Sequence, residues 1–556
     1  MEKMKPYRTI GKAIKSAGIL VILLCAGLQG FLRAGATENG SAPVVVLGIV
    51  VENMRPDYIG RYWDKFGNDG FRKLVQGGSR CVHFRINQHI LNGATGTATL
   101  FTGVTPSVHG IIDEAWYDRS KGKVVSAVAD ERYTLTGGTQ SGSQVSPLQL
   151  KASTLGDQLK LSGHGQSRVF SIALNEAPAL FAAGFSGDAA WWLDNASGRM
   201  VTSSFYTTTL PEWVKNFNDR EMVKKYATRN WVLLKSAGTY SESTEDRSPW
   251  EAGYGEGRNI FPHSMASLVR SAGHYGPLKT TPFGNSLVRE FAVELLEREE
   301  IGQDRHPDLV TVVFSSMDME NSSFGPGSVE MEDLYLRLDE EIATLITFAE
   351  KKFGKEKMVV FLTGNSSASW PAAMLREKFR FPAGTFSPDN AAALLNSWLN
   401  ITYGDLKWIE YNNGLQLYLN HKIAAINHTD LREMRRRTAE FLSEFEGVRM
   451  AVSSDQIRDG QLSDHGGEGV VNSWFEGRSG DILLVLHEGW QTAFKQRKMN
   501  HSGHTHVPLL FYGYGIPAQT LYESYEAEQL VPTLSGILGI STPPGSHGRP
   551  IPLFRP

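Results

Sequence analysis

One apolar run stands out in the hydrophobic pattern of the chain. In residues 44–52 every position before the final Glu52 is apolar or glycine, and most are β-branched. This pattern predicts a strand that is buried on both faces. In an open α/β sheet the ligand site lies just beyond the carboxyl ends of such strands, so Glu52 is the first candidate functional residue. The alternative is that Glu52 caps a helix beginning near Pro56.

Further apolar runs and helical patterns alternate along the chain. Buried strands are predicted at 168–174, 309–315, 359–363 and 507–512. Helices are predicted at 57–76, 286–300 and 331–352, and a Gly/Thr-rich loop at 92–103 should lead into a helix N-terminus. Strands that alternate with helices predict an α/β fold with a doubly wound, mostly parallel sheet.

Two long stretches interrupt this alternation. Residues 191–277 are rich in aromatic, Ser/Thr and Gly positions, and we interpret them as a cap-like insertion over the carboxyl edge of the sheet. Residues 370–478 contain a hairpin signal around Gly414 and a charged helical pattern at 430–446, which predict a small α+β subdomain.

The N-terminus has the pattern of an export signal. Basic residues precede an apolar run at 17–32 and a small-residue sequence ending at Ala36. We predict a signal peptide at 1–36 and a mature chain at 37–556, located in the bacterial periplasm or cell envelope; an uncleaved membrane anchor is the alternative. The net charge of −3 argues against nucleic acid as a partner.

Several phrases together resemble the alkaline phosphatase superfamily, most closely the periplasmic phosphate-irrepressible alkaline phosphatases and the nucleotide pyrophosphatase-phosphodiesterases. They follow the family order over nearly the whole mature chain, at 48–58, 100–110, 116–118, 281–286, 324–339, 478–481 and 505–513. The resemblance implies the family fold. It also implies two zinc ions bound by Asp and His side chains, with a Thr or Ser nucleophile between metal and phosphorus.

The family's reactive residues are altered at the matching positions of this chain. Gly93 occupies the position of the nucleophile, and Glu52 replaces the aspartate that follows the first strand. The resemblance places the remaining metal-ligand positions at Asp318, Ser322, Asn365, Ser366 and His506. Only Asp318 and His506 keep the family residue, which is too few for two zinc sites.

The phosphate-binding positions are altered as well. An Asn and a Lys-x-Arg pair that contact phosphate in the family align with Glu114, Asn175 and Ala177. At about 5 Å and an effective dielectric of about 20, each carboxylate facing a phosphate charge costs roughly 3 kcal/mol. We therefore expect the pocket to repel the family substrate.

Two rescue interpretations stay open. Thr95, Thr97 or Thr99 could replace the nucleophile through a local shift of register, or they could simply cap and pack the helix. A single divalent metal could be held by Asp318 with histidines of the 501–506 cluster, of which His504 and His506 share a face if the chain is extended.

Our leading hypothesis is a catalytically degenerate protein of the envelope that acts by binding, or as a scaffold subunit with a protein partner, and works without a metal cofactor. The alternative is a metal-dependent phosphate or sulfate ester hydrolase with a rearranged site. In either case the residues expected to line the former cleft are Glu52, Gly93, Thr95, Glu114, Asn175, Asp318, Ser322, Asn365, Ser366 and His506.

Overall fold

A computed structural model describes residues 43–138, 143–251, 259–317, 324–462, 467–493 and 505–554. The predicted signal peptide at 1–36 lies outside these residues. In the described part no helix is both long and apolar enough to cross a membrane. The chain divides into one unit at 42–551 and a second formed by 1–41 with 552–556, of which only 552–554 are described. All that follows concerns the first unit.

The strands are listed in chain order. They are β1 (Val45–Val51), β2 (Ser79–Arg85), β3 (Ala115–Asp118), β4 (Lys123–Ser126), β5 (Leu135–Thr136), β6 (Val169–Ile172), β7 (Ala189–Leu193), β8 (Met200–Ser203), β9 (Asn230–Trp231), β10 (His263–Ser264), β11 (Asp308–Phe314), β12 (Met358–Gly364), β13 (Thr385–Phe386), β14 (Ile409–Asn412), β15 (Gln416–Leu419), β16 (Val448–Ser453), β17 (Ile482–Leu486), β18 (Gln491–Thr492), β19 (Leu509–Gly513) and β20 (Gln519–Glu526).

The helices surround these strands. They are α1 (Asp57–Arg61), α2 (Phe71–Gly77), α3 (Gly93–Thr102), α4 (Pro106–His109), α5 (Leu155–Ser162), α6 (Glu176–Ala183), α7 (Glu212–Asp219), α8 (Met222–Ala227), α9 (Met265–Ala272), α10 (Pro282–Arg298), α11 (Val329–Phe353), α12 (Ala372–Glu377), α13 (Pro388–Tyr403), α14 (His421–Ile426), α15 (Leu431–Ser443), α16 (Ser454–Arg458), α17 (Glu468–Ser473) and α18 (Leu530–Leu538).

Ten of the described strands form one sheet in the order β20-β2-β19-β12-β1-β11-β6-β7-β8-β5. Strand β1 lies in the middle and pairs in parallel with both β11 and β12, so its side chains are buried on both faces. The parallel run continues through β6 and β7, whereas β19 and β8 are antiparallel to their neighbours. The predicted α/β class with a mostly parallel sheet is therefore confirmed, and the loops after β1, β6, β11 and β12 meet at one edge.

The predicted helix at 57–76 is interrupted. Helix α1 ends at Arg61, a short 3-10 turn follows, and α2 begins only at Phe71. The cause is Asp339 of α11, whose carboxylate accepts hydrogen bonds of 2.7 Å from the backbone N–H groups of Gly67 and of Phe71. A Cβ at Gly70 would lie 2.2 Å from the same carboxylate, so the glycine permits this close approach.

The two stretches predicted as insertions have mixed structures. Strand β8 and the end of β7, which begins before 191, belong to the large sheet, and apolar residues of the described remainder pack on α10 and α11. Within the described residues, β14, β15, β17 and β16 form a separate antiparallel sheet with its own apolar core, and β17 lies beyond 478. The proposed domain boundaries stay predictions.

Candidate functional site

Glu52 stands directly after β1, at the edge where the parallel strands end. Its backbone N–H donates to the carbonyl of Phe314 (2.9 Å), and its own carbonyl accepts from Ser316 Oγ (2.7 Å). These bonds tie the residue to the end of β11, and its side chain is 8% exposed. The N-cap of helix α1 is Pro56, so Glu52 does not cap that helix.

Gly93 is the first residue of α3 and faces Glu52. A Cβ built on Gly93 would lie 2.8 Å from Glu52 Oε1 and 3.8 Å from Asn365 Nδ2. At 2.8 Å one of the two groups must shift, and the atom that a Cβ would meet is the end of the flexible Glu52 side chain, which can move at little cost. In this structure the carboxylate of Glu52 lies where a side chain at position 93 would begin.

The threonines of α3 are committed to the helix. Thr95 Oγ1 accepts from the backbone N–H of Asn92 (3.1 Å), which completes a capping box, and from Gln88 Nε2 (2.7 Å). Thr97 Oγ1 donates to the carbonyl of Gly93 (2.6 Å), and Thr99 Oγ1 donates to Gln88 Oε1 (2.9 Å). All three threonines are 0% exposed. The geometry therefore favours capping and packing over a replacement nucleophile.

A lysine that the sequence analysis overlooked lies in this cleft. Lys279, in the 3-10 turn Gly276–Thr280, donates from Nζ to Asn175 Oδ1 at 3.2 Å. The amide of Asn175 in turn donates to Glu52 Oε2 at 3.4 Å. Asn175 is the residue that aligns with the family's phosphate-binding lysine. An ammonium group is thus brought to that place by a different segment of the chain.

Burial and nearby carboxylates shift the pKa of Lys279 in opposite directions. Burial lowers the pKa of Lys279 to about 8, and the negative charges of Glu176, Glu52 and Asp194 oppose this shift. Burial likewise raises the pKa of Glu176, against the attraction of Lys279. Lys279 therefore adds a cation that the aligned phosphate-binding positions did not predict, and repulsion of the family substrate stays a prediction.

Asn365 and Ser366 follow β12 and connect neighbouring loops. Asn365 Nδ2 donates to Thr97 Oγ1 (2.9 Å) and to the carbonyl of Gly93 (3.4 Å). Ser366 Oγ accepts from the backbone N–H of Asn53 (3.0 Å), a residue with a φ of 56°. Two positions that the resemblance aligns with metal ligands thus connect the loops on either side of Glu52.

Glu114 and His506 do not join this group. Glu114 is exposed, and its neighbour Asp113 is the buried carboxylate, which accepts from Asn92 Nδ2 (2.8 Å) and from Asn413 Nδ2 (3.1 Å). Burial raises the pKa of Asp113 to about 7. His506 is exposed and pairs by its backbone with Arg85. Asp318, Ser322 and His504 lie outside the described residues.

The described side chains do not make up the family's zinc pair. No group of three His, Cys, Asp or Glu residues in the described ranges converges in a geometry that could hold a metal ion. Glu52, the nearest candidate ligand, lies beside the amide of Asn175 and the ammonium of Lys279. A metal ion bound by the Glu52 carboxylate would therefore have to displace the amide N–H of Asn175, which is a donor and not a metal ligand.

The sequence analysis did not single out Lys279, Glu176 or Asp113. Signals were available for all three. Lys279 lies two residues before the phrase at 281–286 that is shared with the family, Glu176 lies between the aligned positions 175 and 177, and Asp113 directly precedes the aligned Glu114.

The mixed ten-stranded sheet and the polar edge beyond β1 define the protein as a member of the alkaline phosphatase superfamily. The sequence pattern of one family, "Type I phosphodiesterase / nucleotide pyrophosphatase", matches residues 46–508, and the chain belongs to that family.

Named relatives match almost the whole chain. Alkaline phosphatase PafA of Elizabethkingia meningoseptica is 31% identical over 539 residues, which cover 96% of this chain and 98% of the relative. Alkaline phosphatase PhoV of Synechococcus elongatus is 29% identical over 546 residues, which cover 96% of this chain and 98% of the relative. The crystal structure of PafA superimposes on this structure with a TM-score of 0.87. The superposition covers 92% of this chain and 99% of the PafA chain.

These findings correct two expectations. The hypothesis of a catalytically degenerate binding or scaffold protein is contradicted, since relatives that match nearly the full length are named alkaline phosphatases. The expectation that no metal cofactor is used is contradicted by the same membership, because the family resemblance carries a zinc pair with it. The alternative of an ester hydrolase with a rearranged site agrees better with the comparisons.

Proposed function

We propose that this protein is a hydrolase of phosphate esters whose active site has been rearranged around Glu52. The observation that carries the proposal is the position of the Glu52 carboxylate, which reaches the place of the family nucleophile beside Gly93. A glycine forms no ester with phosphorus, so water is the attacking group. The relatives named alkaline phosphatases support ester hydrolysis as the reaction class.

The proposed reaction is a direct displacement by water. Glu52 accepts one proton from a water molecule, and the water oxygen forms a bond to phosphorus as the ester P–O bond breaks. The departing alkoxide takes a proton from solvent, and the proton on Glu52 returns to solvent. Asn175 orients the carboxylate through its amide. No step of this reaction is assigned to a metal ion.

Substitution of Glu52 tests the proposal. We expect Glu52→Gln to lower kcat for a phosphate ester by on the order of 100-fold or more, because the amide cannot accept the proton. The assay uses the exported full chain with p-nitrophenyl phosphate and bis(p-nitrophenyl) phosphate, with and without added zinc. Glu488→Gln, at an exposed position, is the matched control. Turnover by the wild type no faster than by Glu52→Gln would overturn the proposal.

Metal use is measured in the same preparation. The candidate ligands of one divalent ion are Asp318, His504 and His506, and metal analysis of the wild type beside Asp318→Ala and His506→Ala tests them. A bound ion would add positive charge near the phosphoryl group. Equal metal content in all three proteins would remove Asp318 and His506 from the ligand set.

We also propose export to the periplasm or envelope, on the basis of the signal pattern at 1–36. N-terminal sequencing of the exported protein tests this proposal, since it would begin near residue 37. The predicted protein partner in the envelope stays a prediction, and co-purification from the native envelope would test it.

A further inference from the structure

We propose that Lys279 binds the phosphoryl group of the substrate and that it selects singly charged phosphate diesters over doubly charged monoesters. This inference rests on the proposed function, because it assigns a substrate class to the same cleft. It also assigns a role to a residue that lies outside the reactive phrases of the family resemblance.

The first step of the argument is position. Lys279 Nζ lies 3.2 Å from Asn175 Oδ1, and Asn175 Nδ2 lies 3.4 Å from Glu52 Oε2. The ammonium is therefore two hydrogen bonds away from the carboxylate that we assign as the base. The 3-10 turn that carries Lys279 runs into helix α10, whose Asn285 exchanges hydrogen bonds with the backbone of Ser315 at the end of β11. Lys279 is thus attached to the sheet edge rather than to a free loop.

The second step is donor chemistry. A lysine ammonium has three N–H donors and accepts no hydrogen bond, so it binds oxyanions as a point charge. Asn175 takes one of the three donors. The aligned lysine of the family is lost at Asn175, and Ala177 replaces its arginine. One cation therefore stands where the family resemblance implies two.

The third step is the balance of charge. The carboxylates of Glu52, Glu176 and Asp194 face Lys279. A phosphate diester carries one negative charge at neutral pH, whereas a monoester carries close to two. Since these carboxylates repel each negative charge that a ligand brings, a doubly charged monoester meets about twice the repulsion that a diester meets. At separations of about 5 Å such a repulsion corresponds to a preference for the diester of at least about tenfold.

A structural role for Lys279 is the rival explanation. In that case the ammonium only neutralises Glu52 and Glu176, and its removal lowers stability without changing ligand choice. The two explanations predict different ligand affinities for a folded Lys279 variant. The experiment therefore measures ligand binding on folded protein.

The experiment measures the binding of diphenyl phosphate and phenyl phosphate to the full chain by titration calorimetry at pH 7. We expect Lys279→Met to weaken the binding of diphenyl phosphate at least tenfold and to abolish the preference for the diester. Lys279→Arg should keep both the affinity and the preference. Lys225→Met, at an exposed lysine of α8, is the control for loss of one surface charge. Circular dichroism establishes that each variant is folded.

The pH dependence gives a second readout that a structural role would not produce. Because burial lowers the pKa of Lys279 to about 8, against the opposing charges of Glu176, Glu52 and Asp194, the ammonium loses its proton as the pH passes 8. Diester affinity of the wild type should fall between pH 7 and pH 9, whereas that of Lys279→Arg should not, because the guanidinium stays charged.

The outcomes separate this inference from the proposed function. Diester binding that depends on Lys279 without measurable hydrolysis would support the inference and overturn the hydrolase. Hydrolysis with unchanged diester binding in folded Lys279→Met would overturn the inference alone. Equal affinity of the wild type for both ligands would also overturn it.

Discussion

At the scale of single residues, Glu52 and Gly93 are in direct contact at the centre of the site. Glutamate at position 52 is one methylene longer than the aspartate of the family, and its Oε1 lies 2.8 Å from where a Cβ at Gly93 would be. The two departures from the family pattern are therefore in contact. A side chain at 93 requires the end of the Glu52 side chain to move aside, or a shorter residue at 52.

This coupling predicts the outcome of restoring a hydroxyl at the nucleophile position. We expect Gly93→Ser alone to lower the free energy of unfolding by about 1–3 kcal/mol, because the new Cβ meets the buried carboxylate. The double variant Gly93→Ser, Glu52→Asp should recover at least half of that loss. Urea denaturation of the wild type, both single variants and the double variant gives the coupling energy. Additive effects would show that the residues do not compete for space.

The residue scale also shows what the sequence could and could not predict about the site. The resemblance placed Glu52, Gly93, Asn175 and Asn365 together, and the structure brings them together at the edge of the sheet. Lys279 could not be predicted in the same way. It lies between the insertion at 191–277 and the family phrase at 281–286, outside the reactive phrases, and only the tertiary fold brings its ammonium to Asn175.

At the scale of elements, the region after β8 is anchored to helix α11 by one buried carboxylate. Asp333 accepts from Trp231 Nε1 (2.6 Å), from the backbone N–H of Leu234 (2.6 Å) and from the hydroxyl of Tyr240 (2.5 Å). It also accepts from Arg337 Nε (2.7 Å) on its own helix. Four donors converge on a side chain that is 0% exposed.

Replacement of this carboxylate should loosen the insertion. We expect Asp333→Asn to lower the free energy of unfolding by about 3 kcal/mol or more, since an amide N–H₂ would face donors that then lack an acceptor. Glu340→Gln, exposed on the same helix, is the control. The measurement is urea denaturation followed by tryptophan fluorescence. A change below about 0.5 kcal/mol would contradict the anchoring role.

A second buried group joins the same elements and should make stability depend on pH. Glu330 of α11 lies 2.9 Å from His263 Nε2, and one oxygen each of Glu330 and Glu251 is buried without a hydrogen-bond partner in the described residues. Burial raises the pKa of Glu330 and of Glu251 to about 9 each, and burial lowers the pKa of His263 to about 4. Both carboxyl groups are therefore neutral at pH 7.

The direction of the pH effect follows from these raised pKa values. A glutamate that titrates near 4.5 when unfolded and near 9 when folded stabilises the fold fully below about pH 4.5, and this contribution is lost as the pH rises through about 9. We expect the Tm to fall between pH 7 and pH 9.5, where His263 stays neutral. The fall should be smaller in Glu330→Gln, and calorimetric Tm values over this range measure it. Parallel pH profiles would contradict the assignment.

At the scale of the whole molecule, the sequence predicted the sheet better than its periphery. The apolar runs that became β1, β6, β11 and β12 are buried on both faces, so burial alone determines their pattern. The antiparallel direction of β19 was not predictable, because a buried strand has the same apolar pattern in either direction. The break between α1 and α2 was missed because it is caused by Asp339, which is distant in sequence.

The contact between Glu52 and Gly93 has a consequence for any attempt to rebuild a family-type nucleophile in this protein. A side chain added at 93 displaces the end of the Glu52 side chain, whereas a shorter residue at 52 leaves the new side chain room from the start. The same hydroxyl at 93 would therefore face a carboxylate in a different position in each background. A directed-evolution library at position 93 should accordingly be built both with and without Glu52→Asp.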